Sequence, residues 1–170
     1  MSEDRSIRDI RLEKLAQLRE LGADPFGAEK FKRDHPATKL VEDFESLEGQ
    51  EVSFAGRIVA MRLMGKAAFA HMSDGEGRIQ GYFKKDDVGE DAWAAFKLMD
   101  IGDHIGVTGT MNRTRTGEPT IFVTAFTPLS KAIQNLPLGK EKDGQQWNVL
   151  SDVEERYRHR HLDLMVNPES

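Results

Sequence analysis

The chain has 170 residues, a net charge of −5, 38% apolar and 31% charged residues, and no cysteine. That length supports one real core with a terminal helix and a tail, and the composition excludes disulfides, a thiolate metal site and a thiol nucleophile. No run approaches the ~20 apolar residues of a membrane helix, and the charged N-terminus has no apolar signal core, so no membrane partner is expected and the expected compartment is the cytoplasm.

Taken in chain order, Asp4 to Leu21 is predicted to be a helix, with Ile7, Ile10, Leu15, Leu18 and Leu21 at helical spacing and Gly22 and Pro25 as stops. Arg8 and Arg19 share one side with Arg5, diluted by Asp4, Asp9, Glu13 and Glu20. That side reads as a solvated face, with contact to a phosphate backbone as the alternative. Residues 26–49 are irregular, with helical turns expected around Lys39–Phe44. Short strands follow: Val52–Leu63, Ala67–Ser73 and Arg78–Lys84, the last two separated by the turn Asp74-Gly75-Glu76-Gly77. Asp86–Met99 is predicted as one helix burying Val88, Trp93, Phe96 and Met99. Strands His104–Asn112 and Thr120–Thr127 flank the turn Thr116-Gly117-Glu118-Pro119.

Five strands with a helix between the third and fourth match the element order of a five-stranded OB-fold barrel, a mainly β fold with helices. The apolar parity of the first strand slips between Phe54 and Ile58-Val59, which predicts a bulge or glycine kink near Gly56. Beyond Pro128, Gly139–Gln146 has linker composition. Ser151–Leu164 is predicted as a single helix opened by a Ser151/Glu154 capping box. The expected organisation is residues 1–49 as helix and connection, 50–130 as the barrel domain, and 131–170 as a linker leading to a further domain.

Nothing in the chain marks catalysis. There is no G-x-S-x-G, Walker-type or Rossmann glycine pattern. His159 and His161 are two apart and point to different sides of a helix, while His35, His71 and His104 are isolated and read as surface or strand histidines. No catalytic residue and no metal ligand is therefore expected.

Binding is better supported. Acids outnumber bases in residues 1–49, 50–128 and 129–170 alike, so no basic block attracts phosphate non-specifically. A nucleic-acid ligand must be held by local contacts and base recognition. In the second strand Phe69 shares parity with His71 and Ser73, opposite Ala68, Ala70 and Met72; in the third, Arg78, Gln80 and Tyr82 oppose Ile79, Gly81 and Phe83. Phe69 thus falls on the polar face, either as a platform for a stacked base or wrapped under a loop as core. Gln80 offers a donor and an acceptor in one plane. Glu118 is acceptor-only; a carboxylate there could accept N3–H from uracil and would oppose the bare N3 of cytosine. Arg62 can hold a base oxygen or a phosphate while balancing that carboxylate. Lys66, Arg113 and Arg115 in the flanking loops, with Arg8 and Arg19, complete the candidate phosphate contacts.

These residues carry a family resemblance. Arg11-x-Glu13-Lys14-Leu15-x-x-Leu18-Arg19-x-x-Gly22-x-x-Pro25-Phe26, Ala55-Gly56-Arg57, Arg62-x-Met64-Gly65-Lys66-x-x-Phe69, Gly77-Arg78-Ile79-Gln80 and Thr114-x-Thr116-Gly117-Glu118 resemble the N-terminal anticodon-binding region of bacterial class II lysyl-tRNA synthetases. Asp152-x-Glu154-x-Arg156-Tyr157-Arg158-x-Arg160 and Leu162-Asp163-Leu164 resemble the lead-in to their catalytic domain. Two departures are visible: His161 stands where the family has Tyr, and Gly139–Gln146 is longer and more polar than its usual connection. The resemblance implies that Phe69 stacks on the central U of a lysine anticodon while Arg62, Gln80 and Glu118 contact that base. It implies a parent enzyme, homodimeric, that attaches lysine to tRNA with ATP and Mg²⁺. This stretch itself would have no cofactor and no ligase activity, and would be a monomer or weak dimer. The alternatives are a free-standing OB module for RNA or single-stranded DNA, an aspartyl or asparaginyl relative, and a protein-interaction module.

Overall fold

The computed structural model describes residues 6–28, 30–142, 145–150 and 152–167, with backbone only for 138–142 and 145–149. The chain divides into two compact units, Met1–Ile133 and Gln134–Ser170.

In the first unit α1 spans Ile7–Glu20. Ser6 caps it, its Oγ accepting from the Asp9 amide at 3.2 Å. The helix ends where Ala23 N–H reaches back to the Leu18 carbonyl (2.9 Å) across Gly22 at φ +72°, a left-handed closure that glycine adopts without penalty. The side facing the protein is Arg11, Leu15 and Leu18. Ile7, Ile10 and Leu21 of the expected apolar stripe are exposed instead, because the docked face follows the i, i+4, i+7 row through Arg11.

Two short helices, α2 (Ala37–Glu42) and α3 (Phe44–Leu47), precede the barrel. Its strands are β1 (Glu51–Met64), β2 (Ala67–Ser73), β3 (Arg78–Lys84), β4 (His104–Arg113) and β5 (Pro119–Ser130). They form a closed barrel in the order β1-β2-β3-β5-β4. The β3–β5 pair is parallel and the others antiparallel. Closure leaves no sheet edge unpaired. Alternation does the sorting: Val52, Phe54 and Ile58, then Ala68, Ala70 and Met72, then Ile79 and Phe83 point inward with Ile105, Val107, Met111, Ile121 and Val123. Each large side chain so enclosed contributes roughly 1.5–3 kcal/mol.

The irregularity of β1 lies at Val59, where the register shifts between Ile58 and Ala60, and not at Gly56. Gly56 serves close packing: a Cβ there would sit 2.8 Å from the Phe54 ring and 2.9 Å from the Ser73 carbonyl oxygen. The predicted helix 86–99 is two helices, α4 (Lys85–Val88) and α5 (Glu90–Phe96). Gly89 at φ +90° breaks them. Trp93, Phe96 and Met99 are buried as expected, and Phe96 stacks on Phe83 at 4.1 Å.

An ion network fastens α1 to the barrel. Lys131, fully buried, donates to Asp100 and Asp103, each at 2.6 Å. Lys14 of α1 reaches Asp100 at 2.5 Å. Asp103, also fully buried, accepts from the Ala132 amide (2.8 Å) and the Asp100 amide (2.7 Å). Arg11 donates to the carbonyls of Ala132 (2.8 Å) and Ile101 (3.2 Å).

In the second unit the predicted linker is a hairpin: β6 (Leu138–Lys142) pairs antiparallel with β7 (Gln145–Val149). The signal was the Asp143-Gly144 dipeptide, a preferred hairpin-turn composition, which lies outside the described residues. The predicted helix 151–164 is also two, α6 (Val153–Arg158) and α7 (Arg160–Val166), separated at His159 (φ −117°, ψ 50°). Ser151 lies outside the described residues; Asp152 caps α6, accepting from the Glu155 amide at 2.9 Å. Asp163, fully buried, gathers Arg156 (2.6 Å), Arg160 (2.5 Å) and Asn167 (2.7 Å).

Candidate nucleic-acid interface

Strand register assembles the outer face of the barrel into two rows. The first crosses four strands as Arg62, Phe69, Tyr82 and Phe122, each opposite the next. The second, one pleat away, is Ala60, His71, Gln80 and Thr120. Because side chains of period two share a face, these residues stand side by side although 62 positions separate the most distant pair, Ala60 and Phe122. Phe69, Tyr82 and Phe122 form a continuous line of rings, with centroids 4.8 Å and 5.3 Å apart. Phe69 is partly exposed and not wrapped as core. Arg62, at the end of the row, is exposed.

Glu118 enters from the β4–β5 turn, which its own bonds define. Gly117 N–H donates to the Thr114 carbonyl (2.9 Å), Thr114 N–H to the Glu118 carbonyl (3.1 Å), and Glu118 N–H to Thr114 Oγ1 (3.2 Å). Gly117 takes φ +85°, where a side chain would be strained. The carboxylate swings over the second row, with Oε1 2.9 Å from His71 Nε2. Beside it Thr120 Oγ1 donates to Gln80 Oε1 at 2.8 Å, with the Glu118 carbonyl oxygen 3.1 Å away. Gln80, on the outer face by parity, is only 9% exposed. Its carbonyl is engaged by Thr120, which leaves the NH₂ as the remaining hydrogen-bonding group of that amide.

The structure therefore brings Phe69, Gln80 and Glu118 together on one face, with Arg62 at its margin. The candidate phosphate contacts divide. Lys66, Arg115 and Arg8 are exposed. Arg19 pairs with Asp24 at 3.2 Å. Arg113 braces the turn, donating to the Gly117 carbonyl (3.1 Å) with its guanidinium 4.3 Å from the Phe44 ring centre. Sequence reasoning missed His71, which is not isolated but paired with Glu118, and it missed Thr120 and Phe122. Tyr82 and Phe122 had a usable signal: both are aromatics on the outward parity. Among the described residues no three His, Asp or Glu side chains cluster to hold a metal ion, and no helix is long and apolar enough to cross a membrane.

A small closed barrel presenting aromatic rings beside paired donors and acceptors on its outer sheet is a nucleic-acid-binding architecture. Residues 52–129 match the OB-fold nucleic acid binding domain of the tRNA anti-codon family. Beyond the barrel, the chain is similar to the N-terminal region of bacterial lysine–tRNA ligases. It is 46% identical to that of Carboxydothermus hydrogenoformans and 47% identical to that of a Thermoanaerobacter species, each over 94% of its length and 31% of the relative's. With the Bacillus subtilis lysine–tRNA ligase it shares 44% identity over 95% of its length and 32% of the relative's. The chain thus spans about a third of the length of these relatives.

Proposed function

We propose that this chain binds the anticodon stem-loop of a lysine tRNA and reads its central U, as the anticodon-binding part of a lysine–tRNA ligase. The observation that carries this reading is the placing of Glu118 and the Gln80 amide beside the Phe69 ring. A uracil stacked on Phe69 presents N3–H as a donor and its oxygens as acceptors. Glu118 accepts from the first and the Gln80 NH₂ donates to the second, with Arg62 at the margin for a base oxygen or a phosphate. Cytosine presents a bare N3 to the carboxylate and, with the Gln80 NH₂ directed to the position of uracil O4, an amino group to that donor, so both contacts turn repulsive. Leaving such groups unpaired costs about 1–3 kcal/mol, or roughly 5- to 150-fold in affinity.

The residues outside the pocket fit supporting roles. Lys66, Arg115 and Arg8, all exposed, would take phosphate, and the barrel at 50–130 would do the recognising, with the 1–49 segment before it and the 131–170 region after it. The full-length, homodimeric, cytoplasmic enzyme would use ATP and Mg²⁺ to join lysine to the tRNA. The 170-residue chain alone, a monomer or weak dimer, would bind tRNA without forming lysyl-adenylate; pyrophosphate exchange by the pure chain would contradict this.

Fluorescence anisotropy with a labelled anticodon stem-loop, carrying U or C at the central position, tests the proposal at two salt concentrations. A preference for U of about tenfold or more is expected. Equal, salt-sensitive binding of the two loops would reduce the chain to a phosphate-binding module.

A further inference from the structure

We propose that His71 sets the pyrimidine preference of this face by positioning the Glu118 carboxylate. The inference rests on the anticodon reading and adds a residue to it. Glu118 stands on a turn, its side chain 44% exposed, and a free glutamate there would sample several rotamers. One bond fixes it: His71 Nε2 lies 2.9 Å from Oε1. A carboxylate only accepts, so Nε2 carries the proton and donates.

His71 is itself well placed to impose a direction. It is anchored in the middle of β2, paired with Ala60 on one side and Gln80 on the other. The strand supplies a rigid base that the turn lacks. With Oε1 held, Oε2 is left as the acceptor for the base. Thr120 does the parallel service for Gln80, occupying its carbonyl and leaving its NH₂ as the remaining donor. The pocket then shows one acceptor and one donor in a fixed order, which is the complement of uracil and the opposite of cytosine. If the carboxylate were unheld it could rotate away from cytosine N3 at little cost, and the two bases would bind more equally.

This makes His71 a positioning residue with a specific signature. The U and C stem-loops are titrated by anisotropy against the chain and its His71→Ala, His71→Phe, His71→Gln and Glu118→Ala variants, and against the His71→Ala/Glu118→Ala pair. His71→Ala is expected to reduce the U-over-C ratio about five- to tenfold, mainly by tightening the C loop and weakening the U loop together. His71→Phe, which keeps the ring without a donor, should do the same and carries the test if the alanine variant unfolds on heating controls. His71→Gln, which restores an N–H, should recover most of the ratio. In the Glu118→Ala background, His71→Ala should change the ratio less than twofold. An unchanged ratio in His71→Ala or His71→Phe overturns the inference, as does a full additional loss in the double variant. If the unaltered chain itself shows no preference for U, the anticodon reading fails and this inference falls with it. A preference in the unaltered chain that survives His71 replacement removes this inference alone.

Discussion

Replacing Lys131 by methionine strands a charge, and the structure sets the size of the effect. The methionine keeps most of the buried stem, so packing changes little. What is lost is the ammonium lying 2.6 Å from both Asp100 and Asp103. Asp100 retains Lys14 and is partly exposed, so it can rehydrate. Asp103 is fully buried and keeps only two backbone N–H bonds. An uncompensated buried charge of this kind costs about 3–5 kcal/mol. Lys131→Met should therefore lose about 3–5 kcal/mol, or roughly 6–20 °C in Tm. Urea unfolding of both proteins at neutral pH measures this. A loss below about 1 kcal/mol would refute the reasoning, because it would mean that the ion pair does not offset the burial of Asp103.

Three further outcomes follow from local geometry. Burial and the nearby Arg57 hold the His104 imidazole below its ordinary value, so its contribution is complete above about pH 6.5 and is lost as pH falls below that. Burial pushes Asp100 up, but hydrogen bonds and charge from Lys131 and Lys14 outweigh it and hold the carboxyl below its usual range; that contribution is lost only as pH falls below about 4. The urea midpoint should thus fall in two stages on acidification, with the first stage absent in His104→Gln; a flat midpoint between pH 7 and 5 would contradict the first. Gly109→Ala places a Cβ 2.1 Å from the Phe122 carbonyl oxygen, and because the obstacle is backbone it should cost about 3 kcal/mol or more, read as a drop in Tm; a near-native Tm would show that β4 and β5 part easily there. Phe69→Ala should weaken U-loop binding by about 1–3 kcal/mol in anisotropy, whereas unchanged binding would mean that the ring does not stack on a base.

The barrel was legible because its short strands follow the period-two rule, with Gln80 and Thr120 as outward positions that are nevertheless buried. Ala67–Ser73 and Arg78–Lys84 are the same in sequence and structure, since each is bounded by a turn that glycine or aspartate announces. The errors fall where backbone conformation, and not side-chain pattern, decides. The apolar spacing of Val88, Trp93, Phe96 and Met99 is continuous across Gly89, and only its φ of +90° shows that two helices share one stripe. Similarly, α6 and α7 read as one amphipathic run because the break at His159 involves no glycine or proline. On α1 the apolar stripe misled because an arginine occupies the docked face, and Arg11 is buried for its two carbonyl bonds and not for its hydrophobicity.

The binding face divides along the same line. Phe69 was visible because an aromatic on an outward parity violates the pattern that folding alone would write, and Glu118 because a glycine turn in an OB-type order has a known place over the sheet. His71 and Thr120 violate nothing: a histidine and a threonine on the polar side of a strand are what solvent exposure permits anyway. Their work depends on partners 47 and 40 positions away, Glu118 for His71 and Gln80 for Thr120, and so only the register reveals it. It follows that residues which touch a ligand tend to be legible as exceptions, whereas those that orient them are legible only once the sheet is assembled. For a chain with net charge −5 this distinction has a functional consequence. On the anticodon reading proposed above, affinity without a broad positive field would come from correctly aimed donors and acceptors, and the orienting residues would carry a larger share of recognition than on a basic surface.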